Sequence, residues 1–320
     1  MNVLVLGGSG FIGRHVVGAL LARGHTVIVG TRRARRAARR LPPAAQRCAT
    51  RLARFEHLTS SHVWKPLLAG VEVAVNCVGI LRERGGATYD RVHNMAPSAL
   101  AAACQCLGLR LVHVSALGLR REARSAFIRS KLAAERAIAT SGADYSLVRP
   151  SLLDGEGGYG AAWIRAVARW PVHFVPTEAK GRIAALEVRD LAEAIATLCE
   201  ARRRADWREV ELGGSALRTM AEYLAAMRAL SEERAALGIP VPRIVARIAS
   251  HLCDLVHFSP FSFGHLELLR RDNAPGRNLL PMLLGRAPTP VGRVPLTFRP
   301  SYAFAAIPAG QDTPVPPRPQ

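Results

Sequence analysis

Three glycines near the start of the chain, Gly7, Gly10 and Gly13, have a spacing that is typical of a dinucleotide-binding turn. Apolar residues 3–6 precede them and predict a buried strand, and a helical pattern follows from residue 12. In this context Gly7 allows the tight turn, Gly10 lets the backbone approach a pyrophosphate, and Gly13 lets the helix pack closely on the sheet. The alternative is an ordinary strand-to-helix turn, because the spacing is GxxGxxG. The residues predicted to contact the cofactor here are Gly7, Ser9, Gly10, Phe11, Ile12, Gly13 and Arg14.

Two arginines, Arg32 and Arg33, follow the second predicted strand, residues 26–29. A site for NAD usually places Asp or Glu here to bind the ribose hydroxyls, whereas a 2′-phosphate requires cations. The two guanidinium groups can clamp a phosphate, with help from Arg14. The sequence therefore favours NADP(H) as the cofactor, with NAD(H) as the alternative. Because arginine is abundant in this chain, residues 32–40 could also form a solvated helix face or a patch for anionic lipid.

A serine and a lysine further along the chain have the types and positions needed to act beside such a cofactor. Ser115 ends the fifth predicted strand, residues 109–114, and Lys131 lies on the helix predicted over residues 125–140. Only three of the 44 Lys and Arg residues are lysines, so chance seldom places a lysine at a given position. Phe127 lies four residues before Lys131, which places both side chains on one face of the helix.

These residues resemble the short-chain dehydrogenase/reductase superfamily, in its extended and atypical branches, which has a strand-end Ser followed by YxxxK on the next helix. The resemblance implies that Ser115 holds the substrate carbonyl or hydroxyl and that Lys131 binds the nicotinamide ribose. In the family the lysine also lowers the pKa of the tyrosine, the general acid and base, because an ammonium favours phenolate. Phe127 stands at the tyrosine position and has no proton to donate or accept. Tyr89 and Tyr159 are candidate substitutes.

The resemblance is closest to the atypical group around the nucleotide-binding accessory subunit of respiratory complex I and its bacterial relatives. It covers roughly residues 1–295, and residues 76–81, 127–135 and 268–285 carry much of it. Asn94 occupies the usual helix asparagine of the family, whereas Glu56-His57 replaces the usual aspartate on the adenine side.

At the end of the fourth predicted strand, small residues would let the cofactor ribose pass over the sheet. The further predicted cofactor contacts are Cys77, Val78, Gly79, Ser115, Lys131 and Pro150.

Strand and helix patterns alternate through residue 150, which predicts a doubly wound parallel α/β sheet of the Rossmann type. The predicted strands cover residues 3–6, 26–29, 54–56, 71–77, 109–114 and 146–149. The predicted helices cover residues 12–23, 34–41, 61–68, 89–106 and 125–140. Ligands in such sheets bind at the carboxyl ends of the strands, where the glycine turn and Ser115 lie.

A smaller C-terminal lobe, interleaved with the sheet, is predicted after Pro150. Residues 1–150 with about 183–202 form the Rossmann domain, residues 151–182 and 203–305 form the lobe, and residues 306–320 form a disordered proline-rich tail. Residues 183–188 and 190–201 are predicted to return to the sheet as a strand and a helix with Asp190 as its N-cap. Within the lobe we expect helices at 161–170 and 220–230 and a strand at 209–212. The substrate pocket is expected between loop 155–160, Ser115 and this lobe.

Residues 242–258 predict an amphipathic helix, on which Ile244, Ile248 and Leu252 oppose Arg243 and Arg247. The favoured interpretation is a helix whose apolar face packs on the lobe. The alternative is a helix lying on a membrane surface, because a basic polar face is characteristic of such helices.

Composition limits the remaining classes of function. The chain has 320 residues, 49% of them hydrophobic, and a net charge of +20. No apolar run reaches the roughly 18 residues that span a bilayer, so we expect a cytoplasmic protein, with a peripheral position on the inner face of a membrane as the alternative. Without helix-turn-helix, zinc or RNA-binding signatures, dedicated nucleic-acid binding is not expected. The six cysteines contain no CxxC motif, so we expect reduced thiols and no metal site.

Two functions remain open from the sequence. The first is an NADP(H)-dependent oxidoreductase acting on a small or lipophilic carbonyl compound, such as a quinone-type substrate. The second is a non-catalytic NADP(H)-binding module with a structural, assembly or redox-sensing role in a respiratory complex, a quinone pathway or a membrane. Phe127 favours the second. A sugar-nucleotide epimerase comes third, because its chemistry needs the same tyrosine.

Overall fold

The structure, a computed structural model, describes residues 1–34, 41–201, 205–231, 234–256 and 262–291. Its strands are β1 Asn2–Leu6, β2 Thr26–Thr31, β3 Ala49–Leu52, β4 Val73–Asn76, β5 Arg110–Val114, β6 Asp144–Pro150, β7 Leu153–Asp154, β8 Val172–Pro176, β9 Arg182–Ile183, β10 Leu186–Glu187, β11 Glu209–Leu212, β12 Arg218–Thr219 and β13 Leu237–Val241. Its helices are α1 Phe11–Ala22, α2 Lys65–Leu68, α3 Ala96–Leu107, α4 Ala126–Thr140, α5 Tyr159–Ala168, α6 Val188–Glu200, α7 Met220–Ala229, α8 Arg243–Val256, α9 Phe263–Leu268 and α10 Leu280–Leu284. Most of the predicted helix 34–41 and the predicted tail 306–320 lie outside the described residues.

Seven parallel strands form the central sheet in the order β11-β6-β5-β4-β1-β2-β3. Strand β11 lies in the segment that the sequence assigned to the second lobe, and it extends the sheet by pairing with β6. With helices on both faces, this architecture confirms the predicted α/β, doubly wound Rossmann-type fold.

The side chains of β1 show how the sheet builds two core layers. Val3 and Val5 pack in the layer that contains α1 and α6, and Leu4 and Leu6 pack in the layer that contains α3. All four side chains are fully buried. A parallel sheet covered on both faces requires such continuous apolar strands, which is why β1 was easy to predict.

Two predicted elements differ in the structure. The third strand is β3 rather than residues 54–56, which lie in and beside a 3₁₀ turn, Phe55–His57. The β3 sequence, ATRL, lacks an apolar pattern because it is an exposed edge strand, and its backbone pairing with β2 stabilises it.

Residues 89–106 form a π-helical turn, Asp90–Met95, followed by α3. Pro97 has no N–H to donate, so a regular α-helical bond is missing at the junction.

The segment predicted to return to the sheet joins it differently. Strand β10 pairs with the short strand β7 in a separate two-stranded sheet, and α6 packs against α1. The N-cap of α6 is Glu187, whose carboxylate accepts a hydrogen bond from the Arg189 amide, so the prediction for Asp190 was wrong. The buried Asp190 carboxylate instead accepts from Arg286 at 2.9 Å and from the Thr289 amide at 2.6 Å. It therefore anchors the C-terminal part of the chain to the sheet domain.

The rest of the described chain builds a smaller lobe. It contains the parallel pair β8–β13, the antiparallel pair β9–β12 and the packed helices α5 and α7. Helix α8 does not pack as favoured from its sequence, because Ile244, Ile248 and Leu252 are exposed. Buried Ala246 and Ser250 make its contact with the protein. Among the described residues, no helix has the length and hydropathy needed to span a bilayer.

Candidate dinucleotide site and adjoining cleft

The glycine turn joins β1 to α1 with very close backbone packing. Gly7 has a φ of +71°, which favours glycine, and its amide donates to the Gly30 carbonyl at 2.9 Å. A Cβ added at Gly13 would lie 2.2 Å from the Gly7 carbonyl oxygen. The helix therefore abuts the turn only because residue 13 has no side chain.

The N-terminus of α1 is open to an anion. Gly10 is the N-cap, no side chain caps the helix, and its first turn contains no acidic residue. The first N–H groups of a helix lack intrahelical partners and carry a partial positive charge, which suits a pyrophosphate. The chain thus fits a dinucleotide at the predicted position.

The end of β2 lies beside this turn. The hydroxyls of Ser9 and Thr31 are 3.1 Å apart, and the Arg33 amide donates to the Thr31 hydroxyl at 3.3 Å. Arg32 and Arg33 are exposed directly after the strand. The described residues 26–34 contain no carboxylate, so the charge here suits a phosphate better than ribose hydroxyls.

A glycine-rich loop, residues 155–160, covers the start of α1. The Arg14 guanidinium donates to the carbonyl oxygen of Glu156, so Arg14 fastens this loop to the helix. A Cβ at Gly158 would lie within 3.0 Å of the Phe11 ring. Burial lowers the pKa of His15, which lies in the same contact, to about 4. His15 is therefore neutral at neutral pH and adds no charge to the site.

The segment after β4 passes next to the glycine turn. The Cys77 amide donates to the Leu6 carbonyl at 3.0 Å, and a Val78 methyl lies 3.1 Å from the ideal Cβ position of Gly7. The Asn76 side chain accepts from the Val78 amide at 3.0 Å, which fixes this turn. Cys77, Val78 and Gly79 therefore lie where a cofactor on the glycine turn would cross β4.

Ser115 has an unusual hydroxyl. Its amide donates to the Val148 carbonyl at 2.7 Å, but its buried Oγ has no hydrogen-bond partner among the described residues. The following loop is held from both sides: the Leu117 amide donates to Pro150, and the Asn273 side chain donates to the Leu117 carbonyl at 3.0 Å. A buried polar group without a partner is costly, so a fixed hydroxyl of this kind suits a bound ligand.

Phe127 and Lys131 lie one turn apart on α4, as predicted. The Lys131 Nζ atom is 5.9 Å from the centre of the Phe127 ring. Burial lowers the pKa of Lys131 to about 8, and nearby Glu135 opposes this shift. Glu135 itself forms an ion pair with Arg149 at 2.7 Å. Lys131 is therefore an ammonium at neutral pH that a small rise in pH discharges.

An aromatic cluster surrounds Phe127. Its ring contacts Tyr89, His93 and His265 at centroid distances of 5.7, 5.4 and 5.7 Å. His93 Nε2 accepts from the Ile80 amide at 2.9 Å, so its proton is on Nδ1, which faces the Ser130 hydroxyl at 3.3 Å. Burial keeps the pKa of His93 well below its usual value. His93 is thus a neutral structural group and does not replace the missing phenol.

The two candidate tyrosines differ in position. Tyr89 stacks on His93 and donates its hydroxyl proton to the Leu81 carbonyl at 2.8 Å. Burial raises the pKa of Tyr89. Tyr159 is 58% exposed at the start of α5. Tyr89 is the tyrosine that contacts the Phe127 ring.

A cleft of about 640 Å³ opens beside Phe127. Tyr89, Phe127 and Phe263 give it aromatic walls, and Arg247, His251 and Asp254 of α8 close one side. The other lining residues are Arg82, Glu83, Arg124, Ser125, Ala126, Ser262 and Gly264. Neither Ser115 nor loop 155–160 lines it, so the expected substrate pocket differs from this cleft.

The predicted cofactor contacts lie at or just beyond the carboxyl ends of β1, β2, β4, β5 and β6, apart from Lys131, which lies on α4. Sequence reasoning gave no role to His93 or His265. The spacing of four residues between Tyr89 and His93 was a usable signal for their stacking, whereas His265 comes from a distant segment and gave none.

Comparisons with known proteins also indicate an NAD(P)H-binding protein. A family model described as NAD(P)H-binding matches residues 7–169. Ceramide reductase of Caulobacter vibrioides is 28% identical over 200 residues, which cover 62% of this chain and 60% of that protein. The mitochondrial NADH dehydrogenase (ubiquinone) 1 alpha subcomplex subunit 9 of Arabidopsis thaliana is 24% identical over 289 residues, 86% of this chain and 71% of that protein. A nucleoside-diphosphate-sugar epimerase of Staphylococcus aureus has a TM-score of 0.69 at 17% identity, covering 91% of this chain and 98% of that chain, and shares the fold.

Proposed function

Because this chain belongs to the NAD(P)H-binding family, we propose that it is an NADP(H)-dependent oxidoreductase that acts on a small or lipophilic carbonyl compound. The observation that carries this proposal is the buried, unpartnered hydroxyl of Ser115 at the end of β5. A buried hydroxyl at that position with no partner among the described residues is suited to a substrate carbonyl. Ceramide is a lipid, so the similarity to ceramide reductase supports a lipophilic substrate.

In this proposal each residue of the site has a separate role. When bound, NADPH would supply the hydride. Ser115 would donate a hydrogen bond to the substrate oxygen and polarise the carbonyl, and the Lys131 ammonium would hold the nicotinamide ribose. Phe127 replaces the usual tyrosine and supplies no proton. The proton comes from Tyr89, whose ring contacts Phe127, from water or from the substrate.

A panel of lipophilic aldehydes, ketones and quinones tests this function, with NADPH oxidation as the readout. Turnover of at least one class supports the oxidoreductase. Ser115→Ala is the matched variant, because it removes only the hydroxyl, and it should lower that turnover by about tenfold or more while NADPH still binds. Tight NADPH binding without turnover on any compound would refute the proposal.

A second candidate function is a non-catalytic NADP(H)-binding module in a respiratory assembly. Its support is the Phe127 ring, which packs among Tyr89, His93 and His265 at the position where the resemblance expects a tyrosine. The relative from Arabidopsis is named as a subunit of NADH dehydrogenase. Stoichiometric NADPH binding, no turnover, and co-purification with a membrane complex would favour this function.

The preference for NADP(H) depends on Arg32 and Arg33. Replacing both by alanine is expected to weaken NADPH binding by about 10–100-fold, which corresponds to the loss of one charged hydrogen bond to phosphate, about 1.5–3 kcal/mol. NADH binding should change little. Fluorescence titration measures both affinities, and the double variant Arg121→Ala, Arg136→Ala, at two exposed sites, is the charge-matched control. Equal affinities of the wild type for NADPH and NADH would contradict the assignment.

The role of Lys131 predicts a pH dependence. Because its pKa is about 8, NADPH affinity should fall as the pH rises from about 7 to about 9. The Lys131→Met variant should bind roughly tenfold more weakly at pH 7 and show no such fall. Titrations at both pH values measure this.

A loss of NADPH affinity between about pH 7 and 9 would not result from Lys131 destabilising the folded protein. The pKa of Lys131 in the folded protein lies below the ordinary value of 10.5, so the unfolded state binds more protons between about pH 8 and 10.5. The contribution of this group to stability therefore increases with pH there. A fall in affinity that persists in Lys131→Met would assign the dependence to another group.

A further inference from the structure

Helix α8 carries an apolar stripe that faces away from the protein. Ile244, Ile248 and Leu252 are 72%, 57% and 55% exposed, and their spacing of four residues aligns them along one side of the helix. Val245 and Leu255 border the stripe and are also exposed. Soluble proteins seldom expose a continuous apolar surface of this kind unless it binds something.

The other sides of α8 either pack against the protein or line the cleft. Ala246 and Ser250 are buried against the lobe, and Arg247, His251 and Asp254 line the cleft. Rotating the helix to bury its large apolar residues would withdraw these polar side chains from the cleft. The exposed apolar stripe therefore follows from the orientation of the helix. Covering these side chains requires a separate binding partner.

The strand pair that leads into α8 also exposes apolar side chains. Ile239 of β13 is the register partner of Phe174 of β8, so their side chains share one face of the pair. Phe174 is 58% exposed, and Leu237, two residues before Ile239 and on the same face, is 65% exposed. Trp170, just before β8, is also exposed. We call the exposed apolar residues of β8, β13 and α8 the docking surface.

Charge indicates what the docking surface binds. Residues 237–256 contain one carboxylate, Asp254, and it forms an ion pair with Arg82 at 3.0 Å. Arg169, Lys180 and Arg234 are exposed in the segments next to the strand pair. The carboxylates of these segments are Glu178, which forms ion pairs with Arg243 and Arg270, and Glu232 and Glu233, which precede Arg234 in the sequence. The whole chain has a net charge of +20. Apolar and aromatic side chains bordered by cations suit the interface of a bilayer that contains anionic lipid.

We propose that the docking surface binds peripherally to an anionic membrane, with the axis of α8 in the plane of the interface. This proposal goes beyond the proposed function and does not depend on it, because it concerns the outer side of α8. It has a structural consequence: the inner side of the same helix lines the cleft, so the cleft lies close to the bilayer.

Vesicle flotation of the full chain tests the proposal. Vesicles of phosphatidylcholine with about one third phosphatidylglycerol should carry the wild type upward, and vesicles of phosphatidylcholine alone should bind it more weakly. The double variant Ile248→Glu, Leu252→Glu should lower the partition coefficient by about tenfold or more, because it puts two charges into the apolar stripe. The double variant Leu107→Glu, Met282→Glu is the matched control, since these residues of α3 and α10 are 43% and 52% exposed and lie outside the docking surface.

The other occupants of the docking surface give different results. If a second copy covers it, the wild type sediments as a dimer without lipid, and the double variant sediments as a monomer. If another part of the chain covers it, the double variant unfolds at a lower temperature and wild-type flotation is absent. Either result, or equal flotation of the wild type and the double variant, overturns the proposal. An unchanged NADPH affinity of the double variant shows that its fold is intact.

Discussion

Replacing Phe127 by tyrosine is expected to raise the rate of NADPH-dependent carbonyl reduction by about 100-fold or more, because a positioned general acid contributes roughly that factor. The helix already places residue 127 one turn before Lys131, with Nζ 5.9 Å from the ring centre. An ammonium at this distance favours phenolate and so lowers the pKa of a tyrosine. The added hydroxyl would therefore supply the group that the site lacks. Stopped-flow measurement of NADPH oxidation checks this.

Two further variants separate the hydroxyl from other effects of the substitution. Phe127→Leu removes the ring without adding a hydroxyl, so it should not raise the rate. Phe127→Tyr combined with Lys131→Met should lose most of the gain, because the phenol then has no cation beside it. If Phe127→Tyr binds NADPH normally but reacts no faster than the wild type, a missing acid at position 127 does not limit the reaction.

The short-range features of the fold could be predicted from the sequence. The apolar β1, the glycine turn and α4 each depend on neighbouring residues, and the structure places all three as predicted. The prediction of an NAD(P)H-binding family related to the complex I subunit was confirmed as well. Glycine patterns and apolar periodicity are informative because they describe local backbone geometry.

Features that depend on distant contacts were not predictable. β3 has a polar sequence and exists because β2 pairs with it. The contact between Phe127 and His265 joins segments more than a hundred residues apart. The placement of α8 was wrong because hydrophobic periodicity identifies the apolar side of a helix but not the surface that this side meets. Here small residues, Ala246 and Ser250, hold the helix to the protein.

The two sides of α8 connect the lobe to the site. Its inner side supplies Arg247, His251 and Asp254 to the cleft, and its outer side belongs to the docking surface. A lipophilic compound dissolved in a bilayer would then lie near this cleft, which has Phe127 but not Ser115 in its wall. The proposed function and the membrane proposal are therefore compatible, although each is tested by its own measurement.

The second large effect is expected for Gly13→Ala, which should weaken NADPH binding by about 100-fold. The new methyl group would lie 2.2 Å from the Gly7 carbonyl oxygen and 2.7 Å from the Gly8 Cα. These are backbone atoms, so relief requires a shift of the turn or of α1. Such a shift misplaces the N–H groups for the pyrophosphate, and losing two charged hydrogen bonds accounts for the factor. Overpacking should also lower the free energy of unfolding by about 1–3 kcal/mol.

Gly18→Ala provides the matched control, because it makes the same substitution on the same helix. A Cβ at Gly18 would meet no atom within 4 Å. Alanine is a better helix former, so this variant should gain roughly 0.5–1 kcal/mol in unfolding free energy and bind NADPH like the wild type. Fluorescence titration and thermal unfolding of both variants therefore separate the effect of the turn from the effect of a methyl group on α1. Wild-type NADPH affinity in Gly13→Ala would show that the pyrophosphate does not bind at this turn.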